Sequence, residues 1–212
     1  MYNLHLFLGH VVADHSFTNN AKIRKYSGWN LVGHMIWSFL AILAFTFDIL
    51  LKSRVGIAIL LSFAAVHATG DYIRTVLYRQ GKKRMIDLLE LGLLVAAFIF
   101  NAFVQKKFST SYLSGEFVYY LLGMSVVTTF VTYFFRNFYP KIEDLPDVDG
   151  ITERMIIFIF LLAKKPLFVL LTILVALGYR MIKYKKPDSL WWMSPVFGLG
   201  ISLFWYLTMY VW

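Results

Sequence analysis

The fold class this chain predicts is an all-α, polytopic transmembrane bundle of about six to seven helices, and three observations predict it. Of the 212 residues, 59% are hydrophobic and only 16% charged, and the mean hydropathy is +0.64, too apolar for a soluble domain of this size. The apolar residues form several runs close to the ~20 residues that cross a hydrocarbon core. Short basic loops separate those runs and give a net charge of +9, the pattern of positive-inside topology and attraction to anionic headgroups. No nucleic-acid motif accompanies the charge, so the expected partners are the bilayer and its anionic lipids. With no cysteine, disulfides and thiolate metal ligands are excluded.

Tyr2–Phe17 reads as a short helix, marginal for spanning a bilayer. It carries His5, His10 and Asp14 and has no basic start, so it is not expected to be a cleaved signal peptide. Thr18–Gly28 is a polar loop with Lys22, Arg24 and Lys25. Asn30–Leu51 is long enough to span, with His34 near its start and Asp48 as a solvated end beside Lys52. Val55–Tyr78 is the third helix, followed by the most basic loop, Arg79–Arg84. Met85–Gln105, with Asp87 and Glu90 in its first turns, closes an N-terminal half at 1–105. The loops at Lys22–Lys25 and Arg79–Arg84 are two helices apart, which places both on the cytoplasmic side and the N-terminus outside.

In the half at 106–212, Lys106–Gly115 is a polar turn and Glu116–Phe135 a fifth span. Tyr139–Gly150 is a loop with Pro140, Pro146 and the acids Glu143, Asp144, Asp147 and Asp149. Ile151–Ala163 is apolar but short, and Lys164-Lys165-Pro166 breaks it, because proline interrupts a helix and paired lysines resist burial. A helical hairpin or interfacial helix followed by Leu167–Tyr184 is the expected outcome, with Glu153 and Arg154 as a juxtamembrane ion pair. Lys183, Lys185, Lys186 and Pro187 precede the last span, Leu190–Trp212, anchored by its tryptophans.

The chemistry lies in the N-terminal half. His10-Val11-Val12-Ala13-Asp14 and His67-Ala68-Thr69-Gly70-Asp71 each set an imidazole and a carboxylate four residues apart, one turn from each other on a helix. The later pair follows the earlier by 57 residues, which reads as a tandem repeat of two helical hairpins related by an axis along the membrane normal. Facing hairpins would direct His10, Asp14, His34, His67, Asp71 and Asp87 to one axis, with Glu90 beside them. Bundle cores build metal sites in this way. Imidazole and carboxylate donors suit zinc, manganese or iron. A water on such an ion, activated between Asp14 and Asp71, is a hydrolytic nucleophile.

The string Gly9-His10-Val11-Val12-Ala13-Asp14-His15-Ser16-Phe17, then Leu31-Val32-Gly33-His34, His67-Ala68-Thr69-Gly70-Asp71-Tyr72 and Ile86-Asp87, resembles bacterial and phage membrane proteins catalogued as the domain-of-unknown-function 3307 family. The resemblance covers about residues 3–105, with a weaker echo at Ile151-Thr152-Glu153-Arg154. It implies a multi-pass protein of the bacterial inner membrane whose motif residues are His10, Asp14, His34, His67, Asp71 and Asp87, and it implies no activity. Where the family continues Asp-Gln-x-x-His, this chain reads Asp87-Leu88-Leu89-Glu90-Leu91, so one ligand is missing unless Glu90 replaces it. Three readings stay open. One is a metal-dependent membrane hydrolase acting on a lipid-like substrate. Another is a small channel or transporter, as a homo-oligomer or a hydrated pore. The third is a non-catalytic membrane interaction protein of phage or defence type, with a dry, fully bonded His/Asp network.

Overall fold

The computed structural model of the chain describes residues 3–16, 20–139, 147–184 and 189–211, and every regular element among them is helical. Expected features at Tyr2, Phe17 and Thr18, at Pro140, Glu143, Asp144 and Pro146, and at Lys185, Lys186, Pro187 and Trp212 lie outside the described residues. The elements are α1 (His5–Val11) running into a π-helical turn at Val12–Ser16, α2 (Asn20–Ile23), α3 (Trp29–Ala44), α4 (Phe47–Leu50) and α5 (Arg54–Arg79). They continue with α6 (Lys83–Val104) and a 3₁₀ turn at Gln105–Thr110, then α7 (Gly115–Ser125), a second π-helical turn at Val126–Phe130 and α8 (Val131–Asn137). Three helices close the chain, α9 (Val148–Leu162), α10 (Pro166–Tyr184) and α11 (Ser189–Tyr210). Two compact units emerge, Met1–Leu122 and Gly123–Trp212, so the division falls inside α7 and later than residue 105.

Five helical stretches among the described residues are long and apolar enough to cross a bilayer: Arg54–Arg79, Lys83–Thr110, Gly115–Asn137, Pro166–Tyr184 and Trp191–Tyr210. The expected single span Asn30–Leu51 is not among them. Its helix stops at Ala44, where the Thr46 hydroxyl turns back to donate to the Ile42 carbonyl at 2.8 Å. Asp48, expected as a solvated end, instead accepts from the Tyr112 backbone N–H at 2.8 Å and the Ser111 hydroxyl at 3.2 Å. Two polar anchors thus hold the Phe45–Leu51 stretch off the line of α3.

In the first unit α1 packs on α3 and α6, while α5 packs on α6 and α3. Their apolar seam buries Leu6, Ile42, Leu60, Phe63, Ala97 and Val104. Gly9 makes the α1–α3 approach feasible, since a Cβ there would lie 2.9 Å from the Cα of Ile42. The first amide groups of a helix have no partner within it. Here Asn101 of α6 supplies one, accepting from the backbone N–H of Leu6 at 3.1 Å and donating to the Asn3 carbonyl at 3.0 Å. Ser53 caps α5 by accepting from Gly56 N–H at 3.0 Å.

In the second unit α9 packs on α11, α10 and the Val126–Phe130 turn. The break expected at Lys164–Pro166 is a reversal: Lys164 takes φ 58°, and Pro166 opens α10 at the first helical position, where its missing N–H costs nothing. Because α9 and α10 then lie against each other, this segment is a helical hairpin.

Gly9→Leu should push α1 off α3. Overpacking of this kind costs about 1–3 kcal/mol, so the detergent-solubilised protein should melt several degrees lower by circular dichroism. An unchanged melting temperature would mean the two helices do not touch at Gly9.

Candidate metal centre

The polar cluster of the first unit is built from three elements. His10 lies one turn beyond Leu6 on α1, and the π-helical turn that follows carries Asp14; such insertions re-aim a side chain that a regular helix would leave elsewhere. His34 comes from the second turn of α3, and His67, Asp71 and Arg74 come from one face of α5. All six are buried, none more than 5% exposed. At 1.5 Å per residue, His67 lies about 18 Å and Arg74 about 7 Å from the Arg79 end of α5. The cluster therefore runs from mid-helix towards the basic-loop end.

Arg74 orders it. Its Nη2 donates to Asp14 Oδ2 at 2.7 Å and to Asp71 Oδ1 at 2.8 Å, so one nitrogen clamps a carboxylate from each helix. The opposite oxygens face the imidazoles. Asp14 Oδ1 is 3.4 Å from His67 Nε2 and 3.5 Å from His34 Nε2. Asp71 Oδ2 is 3.2 Å from His67 Nδ1 and 3.5 Å from His34 Nε2. The His10 ring stands 5.1 Å from that of His67, centre to centre.

These separations are long for hydrogen bonds. Both ring nitrogens of His10 and of His67, Asp14 Oδ1 and Asp71 Oδ2 are buried without a hydrogen-bond partner among the described residues. Native interiors leave few such atoms, and each costs about 1–3 kcal/mol. Ligand atoms at roughly 2.0–2.1 Å from a tetrahedral ion stand about 3.3 Å from one another; the His–Asp pairs here are 3.2–3.5 Å apart, and all donor atoms of each group lie within 4.8 Å. Two groups of three donors could hold a metal ion, His10/Asp14/His67 and Asp14/His34/Asp71, and they share Asp14.

Five of the six expected ligands thus come together, and Asp87 stands apart. Its side chain is 53% exposed and pairs with Arg24 at 3.2 Å. Glu90 does not replace the missing histidine in either group; its two oxygens accept from Arg24 at 2.8 and 3.1 Å, and one lies 4.0 Å from Arg74 Nε. Arg24 thereby ties the loop before α3 to the start of α6, so the two basic loops lie at one end of this unit. Arg74 was not among the residues expected at the site. The signal was available, because an arginine seven residues after His67 and three after Asp71 shares their helix face inside an apolar span.

The second unit has its own buried polar network. Glu153 and Arg154 are not a pair, since consecutive helix residues point apart. Arg154 Nη2 donates to Asp147 Oδ2 at 2.6 Å and to Thr132 Oγ1 at 2.8 Å, Nη1 to Ser194 Oγ at 2.8 Å, and Nε to the Val127 carbonyl at 3.0 Å. That carbonyl belongs to the π-helical turn, where the regular ladder is interrupted. Glu153 Oε2 accepts from Arg180 at 2.5 Å and from the Ser194 hydroxyl at 3.2 Å. Gly198 permits this packing, as a Cβ there would meet Arg154 Cγ at 2.9 Å.

No family model matches the chain, and neither a curated protein nor a solved structure matches it.

Arg74→Gln removes the cation between two buried carboxylates. Breaking one buried pair costs about 3–5 kcal/mol, so the variant should lose most of its stability in denaturant melts, whereas exposed Asp87→Asn should shift it by about 0–1 kcal/mol. Similar losses for both would contradict the central position given to Arg74.

Proposed function

We propose that the chain is a metal-dependent membrane hydrolase whose ion is held by His10, Asp14, His34, His67 and Asp71 and whose substrate is lipid-like. The observation that carries this reading is the convergence of partnerless buried atoms of His10, Asp14, His67 and Asp71, with His67 3.2–3.4 Å from the two carboxylates. A structural hydrogen-bond network would leave those atoms satisfied.

Three further features support hydrolysis over a purely structural ion. Each donor group offers three ligands, and three-ligand sites keep a coordination position for water, whereas closed structural zinc sites use four. Asp14 belongs to both groups, as a carboxylate shared between two metal positions does. Arg74 Nε and Nη1 are buried donors without hydrogen-bond partners, the kind of group that receives an oxyanion. With the imidazoles neutral, as ligation requires, Asp14 and Asp71 against Arg74 leave one net negative charge at the donor groups. An ion held by these residues would supply a water of lowered pKa, with Asp14 and Asp71 orienting it and Arg74 beside the charge that would develop. We further propose the bacterial inner membrane as its location, a reading that rests on the resemblance to the domain-of-unknown-function 3307 family.

Elemental analysis of the purified protein should find zinc, manganese or iron at about one or two ions per chain. His67→Ala should reduce that content to background, and Asp71→Asn should abolish hydrolysis of a fluorogenic lipid ester or phosphoester. Metal at a hundred times its Kd should raise stability by about 2.7 kcal/mol. A wild-type protein without bound metal, unaffected by added zinc, manganese or iron, would end this reading.

A further inference from the structure

The metal centre of the first unit is closed. None of its five ligand side chains is more than 5% exposed, so neither an ion nor a headgroup reaches them unless part of the wall moves. Most of that wall is helix: α1, α3, α5 and α6 share one packed apolar seam, and Phe63 of the seam lies against His10. Packing of this kind gives way only in large openings, whereas loop segments open locally at little cost. The exception to the helical wall, among the described residues, is the short stretch Lys22–Gly28 between α2 and α3.

Three contacts hold that stretch against the centre. Ile23 is wholly buried. The Tyr26 ring meets that of His34 edge to face, 6.1 Å centre to centre. Arg24 grips Glu90 through Nε at 3.1 Å and Nη2 at 2.8 Å, and Glu90 Oε1 stands 4.0 Å from Arg74 Nε. A line of charges thus runs from the loop through Glu90 to Arg74 and the two carboxylates that Arg74 clamps.

Two features let the stretch lift. Gly28 takes φ 53°, and a Cβ there would meet nothing within 4 Å, so the chain turns into α3 at a glycine on which no neighbour packs. Glu90, moreover, has a second cation at hand. Arg74 Nε is buried without a hydrogen-bond partner and needs only about 1 Å of movement to take the oxygen that Arg24 lets go. A buried carboxylate stripped of its cation is costly, but here one arginine replaces the other.

We propose that Lys22–Gly28 is a gate over the metal centre, latched by Arg24 on Glu90 and released as Glu90 passes to Arg74. What goes through it, ion or headgroup, rests on the metal-dependent reading above; the movement itself does not.

The test reads the movement without metal. Because the chain has no cysteine, a single introduced thiol reports on its own surroundings. Ser38→Cys places one beside the centre, at a residue 2% exposed whose hydroxyl is 3.5 Å from His34 Nε2. Ala97→Cys places one in the apolar seam. The full chain in detergent and chelator is treated with a small methanethiosulfonate, and intact mass gives the labelling rate. Arg24→Gln should speed labelling at position 38 about tenfold, because the rate follows the population of the opened state, and should leave position 97 unchanged. Arg24→Lys keeps the charge but not the two-pronged grip, so its rate should fall between the two. Gly28→Val, at a φ that a β-branched residue avoids, should speed labelling at position 38 without touching the latch. A rate there unchanged by both Arg24→Gln and Gly28→Val, or matched in both variants by an equal rise at position 97, would overturn the gate. Protein that holds no metal but whose labelling responds would sink the hydrolytic reading alone, and protein that holds metal but whose labelling does not respond would sink the gate alone.

Discussion

A single guanidinium nitrogen holds the first unit's site in place. Arg74 Nη2 sits between Asp14 on the turn after α1 and Asp71 on α5, and its charge offsets the repulsion between two buried carboxylates. At low local dielectric that repulsion is severe. By taking one oxygen of each acid, Arg74 also decides where the other two point, and they point at His34 and His67. The orientation of the donor set is therefore a consequence of one cation, placed by the i, i+3 geometry of α5.

The second unit contains a control for this argument within the same chain. Arg154 is also fully buried and also bonded to a carboxylate. Yet all three of its nitrogens have acceptors, including two carbonyls of the π-helical turn. Arg74 keeps two nitrogens without hydrogen-bond partners, and its neighbours keep six atoms in the same state. Burial of an arginine in this fold is thus compatible with complete satisfaction, and completion is what a structural role looks like. The first unit's shortfall belongs to its site and not to buried cations in general, which is why it reads as a place for a ligand.

Much of this was legible in the sequence, for identifiable reasons. Hydropathy and loop charge depend on composition along the chain, so the helical membrane architecture and the break at Lys164–Pro166 could be read directly. The pairing of His67 with Asp71 follows from helix periodicity, whereas the grouping of His10, Asp14 and His34 with them was read from the 57-residue offset of the two His-x-x-x-Asp pairs. What failed depended on tertiary contacts. Asp48 is held off the line of an α3 span by bonds to Ser111 and Tyr112, partners that no local pattern announces. Asp87 lies in the second turn of α6, and Arg24 on a distant loop takes it. Arg180 gives no local sign of its partner, Glu153 on α9. The two π-helical turns have no sequence signature at all.

The tandem spacing of the two His-x-x-x-Asp pairs conceals a difference that bears on mechanism. His67 and Asp71 stand on a regular α-helix, while Asp14 follows His10 through a π-helical turn. The same 57-residue offset that maps Asp14 onto Asp71 maps Phe17 onto Arg74, so the first pair has no cation of its own. Two equivalent halves would make a centre with two identical faces, and an ion between them would have no preferred side for a substrate. Here the cation stands towards the basic-loop end, with Glu90 and Arg24 beyond it, and the His10 and Phe63 rings meet on the side of the apolar seam. One face of the centre is polar and leads towards the helix ends, the other is closed by packed side chains. Under the hydrolysis proposed above, a headgroup would approach on the polar side, where Glu90 and Arg24 stand beyond Arg74.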